Sequence, residues 1–355
     1  MSTNLLKLKR RLSDMCGLFG FLHYGRNKIK DLSNITNVLA EEAAVRGTDA
    51  TGIAYNLKGK LCIDKNSKSA YDMTFKHSNN ITALIGHTRH STQGDKKYNY
   101  NNHPFYGSCG DTKFALAHNG VLINDKDLKQ EYKLPKTKIE TDSYVAVQLL
   151  EYKDKLNFDN LKFMAENVEG SFSFSVLDNG NNLYLIKGDS PLNILHFPKE
   201  KIYIYASTEE ILWKALIETD LFLDIKENNY EQVKISAGDI LRISPQGKLD
   251  YDKFNFIDYS GNKYCKWWNY GYDTYGTKSD KDYSDVYIED LKCIAAYQGY
   301  SPDDIDTMLE SGISPDEIEE YTLQMAEMTM PSRYFLPQSL KHNYVFFTTQ
   351  LSKAD

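Results

Sequence analysis

The sequence has no C-x-x-C pair, and its five cysteines (Cys16, Cys62, Cys109, Cys265 and Cys293) are odd in number and scattered. That spacing argues against a zinc site and against a secreted disulfide framework, so a reducing, cytoplasmic compartment is expected. No apolar run approaches the roughly 20 residues that a membrane-spanning helix needs. Positive charge is in deficit, with 42 Lys and Arg against 49 Asp and Glu and a net charge of −7. Neither nucleic acid nor an anionic membrane surface is favoured as a partner. Residues 1–15 are basic (Lys7, Lys9, Arg10, Arg11) but lack a continuous apolar segment, which excludes a secretory signal.

What is present is an ordinary globular composition: 355 residues, 41% hydrophobic, 26% charged, with 26 Tyr to fill a core. The stretch that organises the rest is Met15-Cys16-Gly17-Leu18-Phe19-Gly20-Phe21-Leu22. A short apolar run bounded by glycine predicts a buried strand, and a lone Cys at its start is most often a small core hydrophobe. Helical spacing predicts a helix over 31–45, running into Arg46-Gly47-Thr48-Asp49-Ala50-Thr51-Gly52. A hairpin over 53–63 and a strand over 81–86 follow, the latter ending in His87-Thr88-Arg89-His90-Ser91-Thr92-Gln93-Gly94.

A long polar loop over 95–112 is expected next, then a strand over 114–117 leading to an Asn119-Gly120 turn. A helix opens at Glu140-Thr141-Asp142-Ser143, with Thr141 or Asp142 as N-cap. Another helix is predicted over 157–167. Strands over 171–177, 182–187, 202–205 and 239–243 are interrupted by a helix over 208–217. Strands in runs, without regular βαβ alternation, predict sheets with helices stacked on them.

The character changes near 250. Residues 251–287 are rich in Tyr, Asp, Asn and Gly, including Trp267-Trp268, and suit an extended arm. Two copies of Ser-Pro-Asp-(Asp/Glu)-Ile predict short capped helices from near 302 and 315, the first stopped by Gly312. They suit either a structural cap or a docking element. The domain reading is therefore a leader or propeptide over 1–15, a main domain over 16–250 and a C-terminal extension over 251–355.

Cys16, the Arg46-Gly47 turn, Arg89, the Asn119-Gly120 pair and Asp142 each sit at an element's end, where a rigid scaffold presents side chains to a ligand. If they converge, the site holds a thiol nucleophile, two oxyanion donors (the Asn119 amide and the Gly120 N–H), a cation for a carboxylate and an anion for an ammonium. An amino acid with an amide side chain, glutamine, satisfies all four. No neighbouring residue is an obvious base. A free α-amine on Cys16, with a pKa of about 7.7–8, would serve.

The segments CGLFGF, RGTDATG, GHTRHSTQG, NNHPF, AHNG and ETDS, in this order, resemble the class II glutamine amidotransferase domain, over about residues 16–245. Glucosamine-6-phosphate synthase and amidophosphoribosyltransferase carry such domains. The resemblance implies an α+β fold, the four-layer αββα sandwich of N-terminal-nucleophile hydrolases, here followed by a small, mostly irregular or helical C-terminal extension. It implies a Cys16 thioester, an oxyanion hole from Asn119 and Gly120, and Arg89 and Asp142 holding the glutamine carboxylate and amine. Thr92 and His103 match positions lining the glutamine pocket, and Arg46 and Gly47 match a turn supporting the nucleophile. The family's nucleophile is residue 1 of the mature protein, so removal of residues 1–15, or a start at Met15, is implied. His87, His103 and His118 are accounted for without a metal, and neither metal nor cofactor is expected.

The expected activity is hydrolysis of L-glutamine to glutamate and ammonia. No G-x-x-x-x-G-K-[ST] or S-G-G-x-D-S segment follows residue 250, so the ammonia is expected to pass to a separate synthase or partner protein. The alternative is a silent glutamine sensor or scaffold with Cys16 blocked by residues 1–15. An N-terminal-cysteine acylase acting on another amide has no use for the Arg89 and Asp142 pair.

Overall fold

Apolar side chains fill both faces of β1 (Gly17–His23), which is why its sequence is a continuous hydrophobic run. Phe19 and Phe21 enter one core, and Leu18 and Leu22 enter another on the opposite face. The computed structural model describes residues 16–26, 29, 32–227 and 229–257, then Lys292, 302–311, Ile313 and Ile318. The chain divides into two compact units, Ser13–Asp273 and Met1–Leu12 with Thr274–Asp355.

The larger unit contains two antiparallel sheets. The first has the order β11-β9-β10-β1-β4-β2-β3. Its strands are β2 (Ala50–Leu57), β3 (Lys60–Asn66), β4 (Ala83–Arg89), β9 (Asn193–Phe197), β10 (Ile202–Ala206) and β11 (Glu231–Val233), besides β1. The second has the order β13-β12-β8-β7-β6-β5. It is built from β5 (Phe105–Cys109), β6 (Thr112–Leu122), β7 (Gly170–Asp178), β8 (Leu183–Lys187), β12 (Asp239–Ile243) and β13 (Leu249–Lys253).

Helices cover the outer face of each sheet. On α1 (Leu32–Ala43), Leu32, Ile35, Val38, Leu39 and Ala43 recur at three and four residues and bury against Phe19, Phe21 and Leu84. Ile211, Leu212, Ala215 and Leu216 of α5 (Glu209–Ile217) join them, under an N-cap from Thr208 Oγ1. On the second sheet, α3 (Tyr144–Lys153) and α4 (Phe158–Asn167) bury Val145, Leu149, Leu161 and Met164 against Phe114, Phe172 and Phe174. Between the sheets, Leu18, Leu22 and Ile85 meet Ala115, Ala117, Leu177 and Leu185. Helix, sheet, sheet, helix is the predicted αββα order. The short helices α2 (Asp125–Glu131) and α6 (Phe222–Lys226) complete this unit. Among the described residues no helix is long and apolar enough to cross a membrane.

Three local expectations are corrected. The 95–112 segment is not one loop, because β5 begins at Phe105 and pairs with β6. Asn119 and Gly120 lie inside β6, opposite Ser173 and Phe172, rather than in a turn. Neither Thr141 nor Asp142 caps α3. Ser143 holds that position without a side-chain cap, and the Asp142 carboxylate instead accepts from Leu122 N at 2.7 Å. Strands β9, β11 and β13 have weak sequence patterns and emerge only through pairing; β13 runs across residue 250.

In the smaller unit, α7 (Pro302–Glu310) is the helix expected from the first Ser-Pro repeat. Its Ile305 is buried with Ile318, against Met308 and Leu309, and Lys292 pairs with Asp306 at 2.5 Å. The leader over 1–15, the arm beyond 257, the Gly312 stop and the start of the second capped helix lie outside the described residues.

Gly120 has φ +139°, and a Cβ there would lie 1.9 Å from Ser171 O. Both the positive φ and the close approach to β7 require glycine. Gly120→Ala is expected to cost roughly 2 kcal/mol or more of unfolding free energy. Urea denaturation checks this, and an unchanged midpoint would contradict the strand geometry.

Candidate functional site

Cys16 stands immediately before β1, half-buried, its Sγ donating to His90 O at 3.5 Å. The position is set by the antiparallel register of β1 and β4, which places Gly17 opposite Thr88. Arg46, after α1, donates from Nε to Cys16 O at 2.8 Å. Gly47 lies flat on the end of β4, where a Cβ would meet Arg89 C at 2.4 Å. The predicted 46–47 turn thus braces the backbone on both sides of the thiol. Burial pushes the Cys16 thiol up to about 11; the charges of Arg89 and Arg46 oppose that rise and Asp142 adds to it. Those three charges therefore act at one thiol.

Arg89 ends β4 and is buried. Nη1 donates to Asn102 Oδ1 at 2.6 Å, and Nη2 to Gln93 O at 2.6 Å and Gly94 O at 2.9 Å. Three of five N–H groups are thereby used on neutral oxygens, each a charge-assisted bond. The loop they hold is tied further. Gln93 Nε2 donates to Glu140 O at 2.8 Å, Asn101 Nδ2 to Glu140 Oε2 at 2.8 Å, and Ser91 N to Asp49 Oδ2 at 2.8 Å. Thr92 is exposed on this loop.

Asn119 is fully buried; its Nδ2 donates to Ser207 Oγ over a long 3.4 Å, and its Oδ1 has no partner among the described residues. Ser207 also receives Leu18 N at 2.8 Å and donates its own N–H to Leu18 O at 2.9 Å. One hydroxyl thus joins the nucleophile's strand in the first sheet to Asn119 in the second. Asp142 is buried in front of α3, and burial raises its carboxyl against the pull of backbone N–H groups.

Behind these groups lie three buried imidazoles. His87 Nε2 is 2.9 Å from His118 O, and His118 Nδ1 is 2.8 Å from Ser143 Oγ. The His103 ring packs 4.1 Å from His87 and 4.3 Å from Phe105, centroid to centroid. Burial holds His87 and His118 down to about 3, and His103 is driven well below its ordinary value by the same cause. All three are neutral at neutral pH; His87 and His118 hydrogen-bond, whereas neither ring nitrogen of His103 has a partner among the described residues and its ring only packs. Among the described residues no cluster of three or more His, Cys, Asp or Glu is arranged to hold a metal.

The structure thus ties Cys16 to Arg46 and His90, Gly47 to the end of β4, and Arg89 to Asn102 and the 93–94 loop that also carries Thr92. It ties Asn119 through Ser207 to Leu18, and Asp142 to Leu122, with Gly120 beside Asn119 in β6 and the His103 ring against His87. Sequence reasoning assigned no role to Ser207 and Asn102. Both lie in segments that matched the family, but a serine after a strand and one asparagine of a pair signal nothing alone.

An imidazole whose folded pKa is depressed stabilises the fold above its unfolded value near 6.5, and that stability is lost as pH falls below it. At pH 5 each of His87 and His118 costs about 2 kcal/mol relative to pH 7. The unfolding midpoint is expected to drop markedly between pH 7 and pH 5, above the carboxylate range. A flat profile over that window would show the imidazoles to be solvated.

A family model for the glutamine amidotransferase domain matches residues 87–214. Glutamine–fructose-6-phosphate aminotransferase (isomerizing) of Staphylococcus epidermidis is 34% identical over 187 residues, 50% of this chain and 30% of that protein. The enzyme of the same name from Listeria monocytogenes is 30% identical over 251 residues, 66% of this chain and 40% of that protein. The chain thus spans well under half the length of these curated relatives. Among solved structures, glutamine phosphoribosylpyrophosphate amidotransferase from B. subtilis aligns with a TM-score of 0.53 and 21% identity, over 68% of this chain and 50% of that one. That likeness establishes the N-terminal-nucleophile sandwich as the fold. Residues 87–214 thus match a glutamine amidotransferase domain, and over that domain the chain is similar to class II glutamine amidotransferases.

Proposed function

We propose that this chain hydrolyses L-glutamine to L-glutamate and ammonia through a γ-glutamyl thioester on Cys16, and that the ammonia passes to a separate acceptor enzyme. The observation that carries this reading is the Cys16 thiol held at His90 O, next to Arg89 at the end of β4, with Asn119 tied through Ser207 to the strand that Cys16 precedes and the Arg89 and Asp142 charges both acting on the thiol. A thiol alone would suit many acyl transfers, but a cation and an anion at the same thiol suit an α-amino acid. The curated relatives are named for a glutamine-dependent aminotransfer, and the chain matches their glutamine-using part.

In this reading the Arg89 N–H groups not bonded to Asn102, Gln93 and Gly94 take the α-carboxylate, and Asp142 takes the α-ammonium. Glutamine then enters with its charges paired, and its ammonium favours the ionised form of a carboxyl that burial otherwise raises. A thiol at about 11 is protonated at neutral pH, so attack needs a base. With residues 1–15 absent, the Cys16 α-amine takes the thiol proton as sulfur bonds to the carboxamide carbon. The oxyanion is met by Asn119 Nδ2, released from its long bond to Ser207, and by Gly120 N–H. One such donor is worth about 2.7–4 kcal/mol in comparable sites. The amine's proton moves to the departing nitrogen, ammonia leaves, and water cleaves the thioester to glutamate and free thiol. Thr92 would close the loop side of the pocket, His103 would support its floor, and Arg46 and Gly47 would fix the cysteine backbone.

The raised thiol favours a second reading, a glutamine sensor or scaffold in which residues 1–15 keep the Cys16 nitrogen acylated and the thiol inert. Intact mass of the mature protein separates the two. A species beginning at Cys16 is expected, and its ammonia release from glutamine is expected to vanish in Cys16→Ala with the unfolding midpoint preserved. Undiminished release in Cys16→Ala would overturn the thioester. A mature protein that retains residues 1–15 and binds glutamine without turnover would establish the sensor.

A further inference from the structure

Among the described residues, Lys65 near the end of β3 is a cation with no carboxylate partner. It stands on the outermost strand of the first sheet and reaches toward the segment that enters β5, the outermost strand of the second. Its Nζ donates to Asn102 O at 2.5 Å and to Pro104 O at 3.0 Å, bracketing His103, and sits 5.2 Å from the Phe105 ring centroid. Both partners are neutral carbonyls, and no carboxylate among the described residues pairs with it. Burial brings the ammonium down to about 8, and the like charge of Arg89 acts in the same direction. A lysine kept near a second cation without a counter-ion is costly to the fold. A methylene chain with an apolar end would fill the space at lower cost, so the retained charge points to a task beyond filling.

The task is visible in what its carbonyl partners hold. Asn102 is completely buried, and its Oδ1 is the acceptor for Arg89 Nη1 at 2.6 Å. Its Nδ2 is engaged by Lys96 O at 2.9 Å and by Ser67 Oγ at 3.2 Å. Ser67 stands two residues after Lys65, so the 65–67 segment grips Asn102 from both its main chain and its side chain. We propose that Lys65 is the positioning residue for the carboxylate clamp: it fixes the main chain of residues 102–104, through which Asn102 keeps the Arg89 guanidinium aimed for an incoming α-carboxylate. Lys65 does not touch the ligand. It acts through Asn102 on Arg89, and its own charge adds to the positive field at that end of the site. This inference rests on the glutamine reading for its ligand, but the anchoring itself does not.

Lys65→Met and Lys65→Arg test it, with two readouts on the full chain. The first is hydrogen exchange of the amides of residues 99–104. The second is KM and kcat for L-glutamine, followed as ammonia. In Lys65→Met, faster exchange over 99–104 and a KM raised about tenfold with kcat held are expected, the loss of a charge-assisted tie; Lys65→Arg, which keeps charge and donors, is expected to restore both. A lysine that merely packs would change neither the exchange nor the KM. Unchanged exchange over 99–104 in folded Lys65→Met overturns the anchoring, and faster exchange with unaltered KM overturns the link to Arg89. Should Lys65→Met not fold, Lys65→Gln, which keeps a donor without charge, is read the same way. If the wild-type chain neither turns over nor binds glutamine, the proposed function fails, and the anchoring stands or falls on the exchange readout alone.

Discussion

The antiparallel pairing of β1 with β4 is the constraint on which the site depends. Gly17 opposite Thr88 brings the residue before β1 alongside the residues that end β4. Cys16 therefore reaches His90 O, and the Arg89 charge acts on its thiol. Slipping the register by one residue would exchange Phe19 and Phe21 with Leu18 and Leu22 between two filled cores, so the pairing has little freedom. The site thus inherits its precision from the hydrophobic pattern of strands that carry no chemistry.

The second dependence runs between the sheets. Leu18 and Asn119 belong to different sheets, and Ser207 bonds to both. His87 in the first sheet reaches the His118 carbonyl in the second, one residue before Asn119. Lys65 ties the outer edge of the first sheet to the entrance of the outer strand of the second. A layered sandwich held by apolar contact alone has a spacing set by side-chain volume. Directional bonds at these points fix the spacing between the Cys16 strand and Asn119 more tightly than packing does.

The electrostatics of the site are governed by burial. Burial raises the Cys16 thiol and the Asp142 carboxyl, depresses three imidazoles, and leaves Arg89 bonded to neutral oxygens. Each shift makes ionisation less favourable than in water. In the proposed reading an α-amino acid pairs with both Arg89 and Asp142, and that pairing would favour it over a simple amide.

Much of this was legible in the sequence because it is local. Continuous apolar runs marked strands buried on both faces, three-four spacing marked α1, and the ordered segments from CGLFGF to ETDS carried the resemblance to the family and the expected site residues. The short strands β9, β11 and β13 were not legible, since their stability comes from partners distant in sequence. The placement of Asn119 and Gly120 within β6 was also hidden, because Asn-Gly favours a turn locally and only the pairing with β7 overrides that preference. So was the diversion of Asp142 from a helix cap to Leu122 N. From the sequence came the candidate residue types for the chemistry and most of the longer strands and helices. Tertiary structure alone decided that Ser207, Asn102 and Lys65 stand behind them, because hydrogen bonds between residues from 13 to 189 positions apart leave no periodic trace along the chain.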